Sequence, residues 1–237
     1  VSIRWILLPG MDGVGRFRSF QEALGTTEAC RPLSYPPREP LGYDVLTEYV
    51  RSQLRDEAEY ILVAESFSGP IAIRLAAERP PGLRALVLAA SFCASPVRGL
   101  RRILLRVAKR LLFRRPPPLF LVEYFLLGHG ASRDLIDDLY ASLAQVDAQV
   151  FHRRLDEVLT VNVCAQAARI EVPILYLQGR SDHLVGACEV RVLTAACPRI
   201  ELHQVDAPHM VLQRQPEQAL AAIRAFLARH KLAARRP

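Results

Sequence analysis

One short stretch constrains this chain more than any other. Tyr60-Ile61-Leu62-Val63 is a continuous apolar run of strand length, and residues 69–78 carry Ile71 and Leu75 at helical spacing. Between them stands Ala64-Glu65-Ser66-Phe67-Ser68-Gly69. A strand that passes into a helix through so few residues must turn sharply, and side chains flanking the apex must be small to clear the backbone. Ala64 and Ser68 flank Ser66, where glycine would be smaller still, so a slightly altered turn is expected. Two readings stand for such a serine. It caps the helix, or the turn lifts its hydroxyl above the end of a buried strand.

The same alternation recurs along the chain. Arg4-Trp5-Ile6-Leu7-Leu8 reads as a strand buried on both faces. Residues 31–36 read as an edge strand closed by prolines, and 83–89, 172–178 and 199–205 as further strands. Helices are expected at 16–24, 42–55, 187–196 and 216–228. Val45, Leu46, Tyr49, Val50 and Leu54 would face inward on the second, and Leu220, Ile223, Ala225 and Phe226 on the last. Strands alternating with helices predict an α/β fold with a mostly parallel central sheet flanked by helices. From 94 to 168 the alternation stops. Helices at 98–115, 120–127, 133–151 and 152–164 read as a cap inserted into the sheet domain. The expected division is residues 1–93 and 169–237 for the core and 94–168 for the cap.

A chain of 237 residues is long enough for one domain with a substantial core. Its 51 % hydrophobic and 23 % charged content is ordinary for a globular protein, and no apolar run reaches the roughly 18 residues of a membrane span. The chain opens directly in a strand-like segment without a leader pattern, and a cytoplasmic location is expected. The five cysteines, Cys30, Cys93, Cys164, Cys188 and Cys197, form no CxxC pair and no zinc-type cluster with histidine. Reduced thiols and no metal site are expected.

Between Arg98 and Arg115 lie eight basic residues and no acidic one. Leu100, Ile103, Leu104, Val107 and Leu111 recur at helical spacing, with Arg102, Arg106, Lys109 and Arg110 largely off that stripe. Three readings stand: a solvated outer face of the cap, contact with an anionic membrane surface, or docking of an acidic carrier protein or anionic substrate. Nucleic acid is not expected, because interleaved aromatics and a reader motif are missing.

Four sites fall just past presumed strand ends: the loop Pro9-Gly10-Met11-Asp12-Gly13-Val14-Gly15, then Ser66, Asp182 and His209. That edge is where ligands bind in open parallel sheets. The glycine-rich loop has three readings: a dinucleotide fingerprint of the wrong spacing, a plain turn, or a loop aiming the Met11 amide at a substrate oxygen. The order Ser…Asp…His suits nucleophilic catalysis. Ser66 would attack, His209 would take its proton, and Asp182 would fix the imidazole tautomer and balance its charge. The amides of Met11 and Phe67 would bind the oxyanion. Ser68 is a weaker nucleophile candidate, because Pro70 two residues on fits such a turn poorly.

On Leu8-Pro9-Gly10, Glu65-Ser66-Phe67, Gln178-Gly179-Arg180-Ser181-Asp182 and Ala207-Pro208-His209, the chain resembles the α/β-hydrolase superfamily from Ile3 to about His230. Histidine is commoner in that superfamily where Pro9 stands. The resemblance implies a helical cap and no cofactor. It is nearest to small carboxylesterases, including pimeloyl-carrier-protein methyl ester esterases. The implied activity is cleavage of a small-molecule carboxylic ester through an acyl-enzyme. A carrier-linked methyl ester, or a non-hydrolytic binding role, stands as the alternative. Asp12, Phe92, Phe120, Phe125 and Phe151 are the candidate pocket residues, while His183 reads as a surface neighbour.

Overall fold

The computed structural model describes residues 3–26, 28–97, 99, 103–105, 107 and 116–232. Six strands form one sheet: β1 (Arg4–Leu8), β2 (Cys30–Pro32), β3 (Tyr60–Glu65), β4 (Leu83–Ala89), β5 (Ile174–Gly179) and β6 (Glu201–Val205). Their order is β2-β1-β3-β4-β5-β6, and every pairing is parallel. The central strands β1, β3, β4 and β5 are almost wholly buried, as unbroken apolar sequence demands of strands covered on both faces. The expected edge strand at 31–36 is shorter: its pairing ends at Pro32 opposite Leu7, one residue before β1 itself ends, and beyond it the Tyr35 N–H turns to the Gly13 carbonyl at 2.8 Å.

Two apolar layers follow from the alternation of side chains along the strands. On one face Ile6, Leu8, Leu62 and Leu86 meet α2 (Tyr43–Gln53) and α3 (Gly69–Ala77). On the other, Trp5, Leu7, Ile61 and Val63 join a cluster with Phe20 of α1 (Arg18–Leu24) and Phe226 of the closing helix (Pro216–Arg229). Two residues expected to face inward do not. Val45 is exposed, and so is Ala225, each lying at the border of its helix's apolar arc.

Between β4 and β5 the chain builds the expected helical insertion. Leu119–Val122 runs into a π-helical turn, Glu123–Leu127, followed by Arg133–Leu143, Ala148–Thr160 and the short Cys164–Ala167. The expected single helix at 133–151 is broken after Leu143. The break falls where Asp147 donates its N–H to the Pro37 carbonyl of the core at 3.1 Å, a tertiary bond that local periodicity cannot foretell. The insertion leaves and rejoins the core through a narrow neck. Ala94 bridges Asn162, and Cys93 and Cys164 meet there as free thiols with their sulfurs 2.7 Å apart. Most of the basic stretch, including Arg98, Arg102, Arg106, Lys109 and Arg110, lies outside the described residues.

Candidate active site

Strand order decides what meets. The chain passes from β1 outward to β2 and then returns to the other side of β1 as β3, so the loops after β1 and β3 lie side by side at a topological switch point. The register Leu8↔Ala64 sets Pro9–Met11 beside Glu65–Phe67. The loops after β5 and β6 bring Asp182 and His209 to the same edge.

There His209 bridges the other two polar residues. Its Nε2 lies 2.8 Å from Ser66 Oγ and its Nδ1 2.9 Å from Asp182 Oδ2. The Asp182 and His209 side chains are 1 % and 5 % exposed, so their contact is shielded from water. The second Asp182 oxygen accepts the N–H groups of Leu184 and Val185, at 2.8 and 2.9 Å. A carboxylate held on both oxygens has one orientation, and it fixes which imidazole nitrogen faces Ser66.

Ser66 has φ +47°, a left-handed conformation that L-residues seldom adopt and that marks a sharp strand-to-helix turn. The surroundings hold it there. Ser91 Oγ donates to the Ser66 carbonyl at 2.6 Å, and Tyr43 OH donates to the Phe67 carbonyl at 3.0 Å while its ring stacks on Phe67. A Cβ on Gly69 would lie 1.7 Å from Ser91 Oγ, so this position admits only glycine. Ala64 remains in extended strand and is fully buried, so it needs no glycine freedom. Ser68 has a positive reason to be serine. Its hydroxyl donates to the Pro9 carbonyl and receives the Tyr35 hydroxyl at 2.5 Å, which ties the turn to the Met11 loop.

The insertion holds that loop from the other side. Arg154, fully buried in the helix Ala148–Thr160, donates to the carbonyls of Met11, Asp12 and Pro36 at 2.9, 2.8 and 3.3 Å. Its guanidinium also lies over the rings of Tyr35 and Phe67. Gly13, at φ +70°, leaves the room: a Cβ there would lie 2.5 Å from the guanidinium. No sequence signal marks Arg154, Tyr35 or Gln213 as functional. Arg154 is one basic residue among many on a helix, and only the tertiary contact distinguishes it.

A cavity of about 360 Å³ opens over these groups, lined by Met11, Asp12, Ser66, Phe67, His209 and Gln213 among others. Of the candidate pocket residues, Asp12, Phe92 and Phe151 line it. Phe120 and Phe125 do not. Phe120 is 66 % exposed, and Phe125 packs edge-on against Tyr124, whose other ring contact is a stack on exposed His183. Burial pushes the Glu65 carboxyl up to about 7 and that of Asp12 up to about 6. Among the described residues no cluster of His, Cys, Asp and Glu could hold a metal ion.

A profile of the family described as serine aminopeptidase, S33, matches residues 43–211. The chain is 25 % identical over 203 residues to a poly(3-hydroxyalkanoate) depolymerase of Ectopseudomonas oleovorans, covering 84 % of this chain and 72 % of that protein. Among solved structures it is similar to a hydrolase from Pseudomonas aeruginosa PA01. That match has a TM-score of 0.78 at 20 % identity, over 95 % of this chain and 90 % of that one. An enol-lactonase from Burkholderia xenovorans LB400 matches with a TM-score of 0.73 at 16 % identity, over 96 % and 92 % of the two chains. At such identities the structural matches speak for the fold alone. The profile spans more than half of the sequence, and the chain therefore belongs to the serine aminopeptidase S33 family of hydrolase- and esterase-type α/β-hydrolases.

Proposed function

We propose that the protein hydrolyses a carboxylic ester through a Ser66–His209–Asp182 triad and an acyl-enzyme. The hydrogen-bonded sequence from Ser66 through His209 to Asp182, ending in a doubly held carboxylate, carries this reading. Ser66 Oγ attacks the carbonyl carbon while His209 Nε2 takes its proton, and Asp182 balances the charge gained by the ring. The amides of Met11 and Phe67, both at the cavity wall, receive the oxyanion. His209 then protonates the leaving alcohol. Water repeats the attack on the acyl-Ser66 ester with His209 as base, releasing the acid. The core and cap divide at about 94 and 168 in this reading, with the cap covering the acyl pocket.

Ser66→Ala is expected to lower turnover of a p-nitrophenyl acyl ester by about four orders of magnitude or more without loss of fold. Wild-type rates in that variant would overturn the assignment. The matching anilide, run beside the ester, separates an esterase from a peptidase.

For a partner, an anionic membrane surface is favoured over an acidic carrier protein. The apolar residues Ile103, Leu104 and Val107 are 59 %, 59 % and 76 % exposed, amid the basic stretch between Arg98 and Arg115. Apolar side chains among cations suit a lipid interface.

A further inference from the structure

The cavity is chemically uneven. Most of its wall is apolar, yet Glu65 and Gln213 stand in it at 6 % and 7 % exposure. Gln213 Nε2 donates to Glu65 Oε2 at 3.1 Å. That bond uses one oxygen of the carboxylate and the donor end of the amide. Glu65 Oε1 and Gln213 Oε1 are both buried and have no hydrogen-bond partner among the described residues. With Glu65 ionised, above the pH of about 7 to which burial raises its carboxyl, both are acceptors. A buried acceptor left unmatched costs about 1–3 kcal/mol, so the ionised pair is short of a donor.

Asp12, the neighbouring carboxyl, is supplied differently. Its Oδ1 and Glu65 Oε2 each lie 3.8 Å from where a Gly10 Cβ would stand, so the two acids share one end of the cavity. Asp12, however, has the Val14 amide and the Arg154 charge acting on it. Glu65 has the Gln213 amide and the His209 ring, and among the described residues no arginine or lysine acts on it. The unmet demand is therefore local to Glu65 and Gln213. Glu65 is also the chain neighbour of Ser66, with Cα atoms about 3.8 Å apart. Its carboxyl also feels the His209 ring, so a group that donates to it lies at the end of the cavity where Ser66 and His209 would meet the substrate.

We propose that Glu65 and Gln213 form a subsite for a hydrogen-bond donor on the substrate, a hydroxyl or an ammonium carried within a few bonds of the scissile carbonyl. This rests on the ester-hydrolase reading of the same cavity. It makes the natural substrate a hydroxy- or amino-substituted ester rather than a plain fatty one.

The test compares ethyl octanoate with its 2-, 3- and 4-hydroxy and 2-ammonium analogues, and with 2-hydroxyethyl and 2-aminoethyl octanoate. At pH 8.5, where Glu65 is ionised, one or more donor-bearing esters should exceed ethyl octanoate in kcat/KM by about tenfold or more, as a hydrogen bond to a charged group implies. The double variant Glu65→Leu/Gln213→Leu removes both acceptors together, and in it that ratio should fall to about one. Should the double variant not fold, Gln213→Met should still cut the ratio at least about threefold. Ser66-dependent hydrolysis with no donor preference, or a preference that survives the variants, overturns the subsite and leaves the hydrolase standing. If no ester is turned over, the hydrolase reading fails instead. The same panel is then read by equilibrium binding, where equal affinity for plain and substituted esters overturns the subsite.

Discussion

Ser68 shows how much one hydroxyl can organise. It sits where the superfamily pattern has glycine, and its bond to the Pro9 carbonyl joins the two loops whose amides are proposed to hold the oxyanion. Ser68→Ala is expected to lower kcat by about tenfold with little change in KM, because the tether matters most when charge develops on the substrate oxygen. Steady-state kinetics on one ester would check the split. Glu65 gives a second prediction. Its carboxyl rises from 4.5 to about 7 on burial, so the folded chain binds that proton more tightly than the unfolded chain. Stability is therefore lost as pH climbs from about 4.5 to about 7. Glu65→Gln should leave the melting temperature nearly unchanged at pH 4. At pH 8 it should raise stability by up to about 3 kcal/mol, the equivalent of the shift. Asp12, raised from 3.8 to about 6, adds a loss in the overlapping lower window. Melting curves of variant and parent across that range would show whether the difference follows this course.

At the scale of elements, the helix Ala148–Thr160 both roofs the cavity and braces the core. Arg154 reaches down from it to three carbonyls, while Val150 and Phe151 pack on Met11 and Val14. A second seam joins the π-helical turn to the His209 loop. The Met210 N–H donates to the Leu126 carbonyl at 3.0 Å, and Met210 packs with Val122, Leu127 and Leu139. The insertion thus grips the loops on both sides of Ser66. Arg154→Met keeps the length of the side chain but strips the carbonyls of their donors, and should cost roughly 2–5 kcal/mol together with much of the activity. Arg154→Lys should restore only part of either, because an ammonium cannot reach three acceptors in a planar fork. Chemical denaturation alongside kinetics would show whether stability and turnover fall together.

At the scale of the whole molecule, charge is the dominant asymmetry. The chain carries a net +7, and the eight basic residues between Arg98 and Arg115 exceed that total by themselves. Binding to phosphatidylglycerol vesicles is expected at low salt, falling steeply toward 0.5 M on the order of the loss expected from screening, with none to phosphatidylcholine vesicles. Co-sedimentation would decide it, and equal partition to both lipids would remove the membrane reading. Among the described residues no helix is long and apolar enough to cross a bilayer.

Much of this architecture was legible in the residues. Unbroken apolar runs of strand length, separated by helical periodicity, determined a parallel sheet covered on both faces. The positions of Ser66, Asp182 and His209 just past strand ends determined which edge they share. These are local signals, written in the spacing of a few neighbouring side chains. What only the tertiary structure decided involves groups far apart in sequence. Arg154 meets Met11 across more than half the chain, Ser68 meets Pro9, and Gln213 meets Glu65. None carries a sequence signature, because a buried polar residue looks like a surface one until its partners come together. The breaks in the insertion's helices and the exposure of Phe120 belong to the same class. Periodicity reports which face of a helix is apolar; it is the neighbouring surface, assembled from distant segments, that decides whether the face is covered.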